Sequence, residues 1–116
     1  MIDGWIKDVK ATVDPDNLGM ILVHNGVVRS TAKDGKPVRR MELSYSEEAL
    51  AALVKEYEGK EGIAAIRVWI NKGALNIGDD IMLVLVAGRF RTDVLPVFQS
   101  LIAGIKGGVV NEREIA

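Results

Sequence analysis

The hydrophobic pattern changes period several times along the chain, and each change marks an element. Ile2, Trp5, Ile6 and Val9 fall on one helical face with Lys7, Asp8 and Lys10 opposite, which predicts a short helix over residues 2–10, weakened by Gly4. "DPDNLG", residues 14–19, is dense in turn formers. The apolar "GMILVHNGVV" after it reads as a buried strand, either interrupted by a turn or bulge at Asn25-Gly26 or folded back there as a hairpin. Residues 29–37, "RSTAKDGKP", are polar and punctuated by Gly35 and Pro37, so this loop is the segment expected to move most.

"VRRMELSY" alternates imperfectly and predicts a strand with one wet face. The clearest helix follows. Ser46 can cap it, Glu47 and Glu48 suit the positive end of its dipole, and Leu50, Leu53, Val54 and Tyr57 recur at helical spacing. Gly59 is expected to close it in the left-handed conformation. "IAAIRVWI" predicts a strand, "NKGALNIGDD" a connector, and the near-continuous apolar run "IMLVLVAG" a central strand buried on both faces.

A last helix, capped by Thr92 or Asp93, is expected from Val94 to about Ile105, with Leu95, Phe98, Leu101, Ile102 and Ile105 as its apolar face. Pro96 is tolerable in a first turn, where its missing N–H has no intrahelical acceptor to lose. The tail "KGGVVNEREIA" reads as loop. The order of elements argues for an α+β fold, helices packed on a mixed or antiparallel sheet.

Composition narrows the chemistry. At 116 residues and 48% hydrophobic content, the chain is expected to form one domain, residues 1–116. Fifteen Lys and Arg against sixteen Asp and Glu leave a net charge of −1, so no general attraction to nucleic acid or to an anionic membrane is expected. Any anion site must be local. The absence of cysteine excludes disulfides, thiolate metal sites and a cysteine nucleophile, and His24 is the only histidine. No acidic run has calcium-loop spacing, and no metal or cofactor is expected. With no basic leader and no apolar run near the roughly 20 residues a bilayer requires, the expected location is cytoplasmic.

Basic residues beside element ends are the remaining candidates. In "AGRFRTDVLPVF", Arg89 and Arg91 stand between the apolar strand and the last helix, and their spacing by two places them on one side if the strand continues. They either grip an anion at a helix N-terminus or form a solvated pair near Asp79, Asp80 or Asp93. Arg29 and Lys33 follow the first strand. Lys106, before Gly107-Gly108, either complements the helix dipole or approaches a ligand. His24, within an apolar run, reads as a structural histidine or as a general base. No nucleophile elbow or phosphate-loop motif is present.

Taken together, these pieces resemble the large, catalytic subunit of molybdopterin synthase, the MoaE family. "GMILVHNGVVR" fits the family's apolar strand and Gly-x-Val-Arg signature. "RRMELSYSEEALAALVKEYE" fits its strand and helix, "IRVWINKGALNIGDD" its Gly-x-Leu-x-x-Gly-Asp turn, and "IMLVLVAGRFRTDVLPVFQSLIAGIK" its last strand and helix. The resemblance implies an α/β-hammerhead fold, a homodimer, and a small ubiquitin-like partner ending in a Gly-Gly thiocarboxylate. The implied reaction is sulfur transfer from that partner to cyclic pyranopterin monophosphate, giving molybdopterin. The implied substrate-binding residues are Arg29 and Arg91, with Arg89 in support, and the implied catalytic residue is Lys106. Two positions depart from the family: Phe90 stands where its His-Arg pair has histidine, and Glu112 where it has a second lysine. The alternative these departures raise is an inactive relative serving as a pterin- or partner-binding scaffold.

Overall fold

The computed structural model describes residues 1–116. Its elements run α1 (Ile2–Thr12), a 3-10 turn (Pro15–Asn17), β1 (Met20–Val27), β2 (Arg40–Tyr45), α2 (Glu47–Glu58), β3 (Ile63–Ile70), β4 (Gly73–Asn76), β5 (Asp80–Gly88), α3 (Arg91–Gly108) and β6 (Val110–Ile115). The strands form two three-stranded sheets, β1-β5-β3 and β4-β2-β6, and every pairing is antiparallel. The α+β expectation holds. The molecule is elongated, with extents of 48 × 25 × 23 Å.

β5 is apolar throughout because both faces of its sheet are covered. Met82, Val84 and Val86 join Leu101 and Ile105 of α3 in the larger core, with Leu50, Leu53, Val54 and Tyr57 of α2 packed against it. Leu85 and Ala87 point the other way, onto Val9 of α1. One sheet is therefore sandwiched between α1 and the α2–α3 pair. The Asn25-Gly26 region is not a hairpin: β1 runs unbroken to Val27, and the register with β5 slips after Gly26. Val27 pairs with Asp80 and Gly26 with Met82, which leaves Ile81 as the extra residue of a bulge.

Several boundaries differ from the sequence reading, each for a local reason. β4 lies inside the expected connector and β6 inside the expected loop tail. Both are edge strands on either side of β2, and exposed Asn111, Glu112, Arg113 and Glu114 give β6 no hydrophobic period to read. Gly59 ends α2 in a right-handed conformation, and Gly62, at φ +78°, takes the left-handed one. α3 starts at Arg91 on Phe90 as N-cap with no side-chain cap, rather than on Thr92 or Asp93. Pro96 therefore falls in the second turn, where the Thr92 carbonyl loses its i+4 donor. Leu95 is exposed, and Val94 takes its place in the core. The 29–37 loop is stitched by backbone bonds from Ala32 N–H to the Lys36 carbonyl and from Val38 N–H to the Ser30 carbonyl.

Candidate functional site

α3 organises the basic residues because it begins at one end of the central sheet and runs back along it. Arg89 leaves β5 at the Gly88 end, where Gly88 faces both Met20 and Ile63. The chain is tightly packed there. A Cβ on Gly88 would lie 2.2 Å from the Gly62 carbonyl oxygen and 2.7 Å from Val94, so only glycine fits. Arg89 N–H donates to that same Gly62 carbonyl.

The side chain of Arg89 is already engaged. Its Nη2 donates to Asp93 Oδ2 at 3.4 Å, lies 3.7 Å from Glu61 Oε1, and the guanidinium stacks over Phe90 at 4.9 Å from the ring centroid. Two carboxylates take up its charge, as the solvated-pair reading anticipated for Asp93. β5 has ended before Arg89, so the alternation that would place Arg89 and Arg91 on one side does not apply. Arg91 opens α3, is exposed, and takes part in none of the ion pairs. Phe90 between them is 58% exposed.

At the other end of α3 the arrangement is different. Lys106 lies within the last helical turn rather than after it, exposed and without an ion-pair partner. It faces β1, where His24 shares its side of the sheet with Leu22 of the larger core. Burial, and then the charge of Lys106, hold the His24 imidazole below its ordinary range. His24 Nε2 is buried with no hydrogen-bond partner. Arg29 leaves the same strand beyond Val28, whose backbone is tied to Asp79 and Gly78, and is also exposed and unpaired.

The four residues expected to act together thus form two groups. Arg29 and Lys106 belong to the half of the molecule that contains His24, whereas Arg89 and Arg91 lie at the opposite end of α3. Arg91 and Lys106 are fifteen residues apart on one helix, a separation of about 22 Å along its axis. No single phosphate reaches both within one chain. Glu112 sits elsewhere again, in β6, lining a groove of about 560 Å³ with Glu42, Ser44 and Arg113. Its neighbour Arg113 donates to Glu42, whose carboxyl is held below its usual range by that bond. Of the two readings of His24, structural histidine or general base, the first supposes a hydrogen-bonded ring, and Nε2 has no such partner.

The class that the fold defines is a two-sheet α+β domain, with unpaired basic residues on α3 and after β1. The chain is similar in fold to a molybdopterin synthase from Staphylococcus aureus, at TM-score 0.76 and 24% identity over 95% of this chain and 82% of that one. It is likewise similar to the molybdopterin biosynthesis MoaE protein of Burkholderia ambifaria, at TM-score 0.77 and 20% identity over 99% and 82% of the two chains. A complex of subunits 1 and 2 of molybdopterin-converting factor from Helicobacter pylori matches at TM-score 0.76 and 17% identity, over 97% and 74%. A search among curated proteins gave no match. The model of the MoaE protein family matches residues 4–107, and the chain belongs to that family. Its role lies in molybdenum cofactor biosynthesis. No helix is long and apolar enough to cross a membrane.

Proposed function

We propose that residues 1–116 act as the large subunit of a molybdopterin synthase, accepting sulfur from the Gly-Gly thiocarboxylate of a small ubiquitin-like carrier and transferring it to cyclic pyranopterin monophosphate. The observation that carries this reading is the pair of unpartnered cations, Arg29 and Lys106, in one half of a MoaE-family chain. Arg29 binds the substrate phosphate through a charge-assisted, bidentate contact. Lys106 stabilises negative charge that develops as the carrier's carbonyl is attacked. Arg91, about 22 Å away along α3, serves the site of a second copy: in a homodimer, Arg91 of one protomer meets Arg29 and Lys106 of its partner. Arg89 supports the site indirectly, by fixing the start of α3 through Asp93.

The test is reconstitution. Mixing this chain with a thiocarboxylated small subunit and the cyclic pterin is expected to yield molybdopterin, and no product with a carrier proven competent in another synthase would contradict the reading. A second reading, a binding scaffold without turnover, is favoured by Phe90, an exposed ring without a proton to give where the family has histidine. Pterin binding that persists without turnover and is indifferent to Lys106→Ala would support it.

A further inference from the structure

The proposed function leaves one edge of the central sheet unused. β3 pairs with β5 on one side and with no strand on the other. Its sequence, "IAAIRVWI", has neither the lysine nor the proline that commonly guards an exposed edge, and its single charge, Arg67, is turned onto Asp8 at 3.1 Å. The outward main-chain N–H and C=O groups of such a strand are a template for another extended chain. Two hollows border this edge, one toward α1 and one toward α2, and they meet at Glu58, the last residue of α2. The α2-side hollow, of about 370 Å³, is walled by Tyr45, Leu50, Ala51, Val54 and Val68. The α1-side hollow, of about 580 Å³, runs along Ile63, Ala64 and Ala65 and is lined by Asp14, Arg67 and Arg89. Both arginines already hold carboxylates, whereas Asp14, Glu58 and Glu47, the last in the α2-side hollow, take part in no ion pair. The charge left free along the groove is therefore negative.

We propose that the β3 edge docks an extended peptide segment of a partner protein, one in which apolar and basic residues alternate. The segment adds a fourth strand to the sheet, and its side chains then point by turns to the two faces. Those directed toward α2 enter the apolar hollow over Val54 and Val68. Those directed toward α1 meet the free carboxylates of Glu58 and Asp14. Main-chain pairing supplies the affinity and the two unlike hollows supply the selectivity. Following the edge from Ala65 to Ile70 takes about six residues, roughly 20 Å of strand. The sheet order β1-β5-β3 puts this edge opposite β1, the strand that leads to Arg29. The docking is therefore separate from the sulfur-transfer reading and does not depend on it.

The experiment is an NMR titration of the isotope-labelled full chain with the capped peptide acetyl-Val-Lys-Val-Lys-Val-Thr-amide. Saturable shifts are expected at the amides of Ala65 to Ile70 and at Val54 and Glu58. The counterpart with glutamate in place of both lysines is expected to bind about tenfold more weakly. Glu58→Lys, at an exposed helix end where a cation is tolerated, is expected to reverse that order of preference. Methylating the peptide's main-chain nitrogens, which removes the donors of the added strand, is expected to abolish binding. Absence of saturable shifts, or shifts that lie away from β3, overturns the proposal. So does equal binding of the methylated peptide, or a preference between the two peptides that Glu58→Lys leaves unchanged. Shifts at the β3 amides on dilution of the chain alone show the edge filled by a second copy, and they overturn it as well.

Discussion

The two ends of α3 carry similar residues in opposite circumstances. At its start Arg89 is held by Asp93 and Glu61 and stacked on Phe90, above a glycine contact that admits no side chain. Near its end Lys106 is unpaired, flanked by Gly107 and Gly108, at which an added Cβ would meet nothing within 4 Å. A cation already neutralised has little attraction left for a ligand, whereas an unpartnered one retains it. The arginine-rich start of α3 is thus mostly architecture at Arg89, and the more modest Lys106 end has a cation left free for a ligand.

The largest contrast is in stability. Gly88→Ala drives a methyl into the Gly62 carbonyl and Val94 and is expected to cost about 3 kcal/mol, the upper end of overpacking penalties. Gly107→Ala, in open space within a helix, should instead gain about 0.5 kcal/mol. Urea denaturation of the two variants checks both signs, and equal effects would erase the distinction between the ends.

Activity should divide the other way. Lys106→Ala is expected to reduce molybdopterin formation about 100-fold with unchanged stability. Arg89→Ala should lose less than about 1 kcal/mol of stability, since its ion pairs are partly solvated, and should keep most of its activity. Steady-state rates beside melting curves separate the two effects; a larger activity loss from Arg89→Ala would reverse the assignment.

A smaller effect comes from His24. Its folded pKa is lower than its unfolded value of about 6.5, so the unfolded chain binds the extra proton first. Its contribution to stability is complete above about pH 6.5 and is lost as pH falls from there through the folded pKa. Comparing denaturation midpoints at pH 7.5 and pH 5 should show a larger acid loss in the wild type than in His24→Phe. Lys106→Met should reduce the difference by removing the lesser of the two causes.

The architecture was legible where burial imposes a period. β5 reads directly from "IMLVLVAG" because both faces are covered, and α2 from its cap and its 3.6-residue spacing. β4 and β6 were not legible, since strands at a wet edge are held by backbone pairing to β2, for which the side chains carry no code. The candidate residues were legible singly and not as a set. Arg89 and Arg91 are two positions apart in sequence but only Arg91 is free of an ion pair, and Lys106 is near His24 only because α3 folds back across β1. Sequence spacing reports local faces, whereas the grouping of these cations is set by the length of a helix.

That length underlies the proposal that a complete site draws on two copies of the chain. The direct test mixes Lys106→Ala with Arg91→Ala, each inactive alone, after dissociation and reassembly. Random pairing makes half the dimers mixed, and each mixed dimer has one intact site, so about a quarter of wild-type activity should return. Activity that stays at the level of the separate variants would contradict the account.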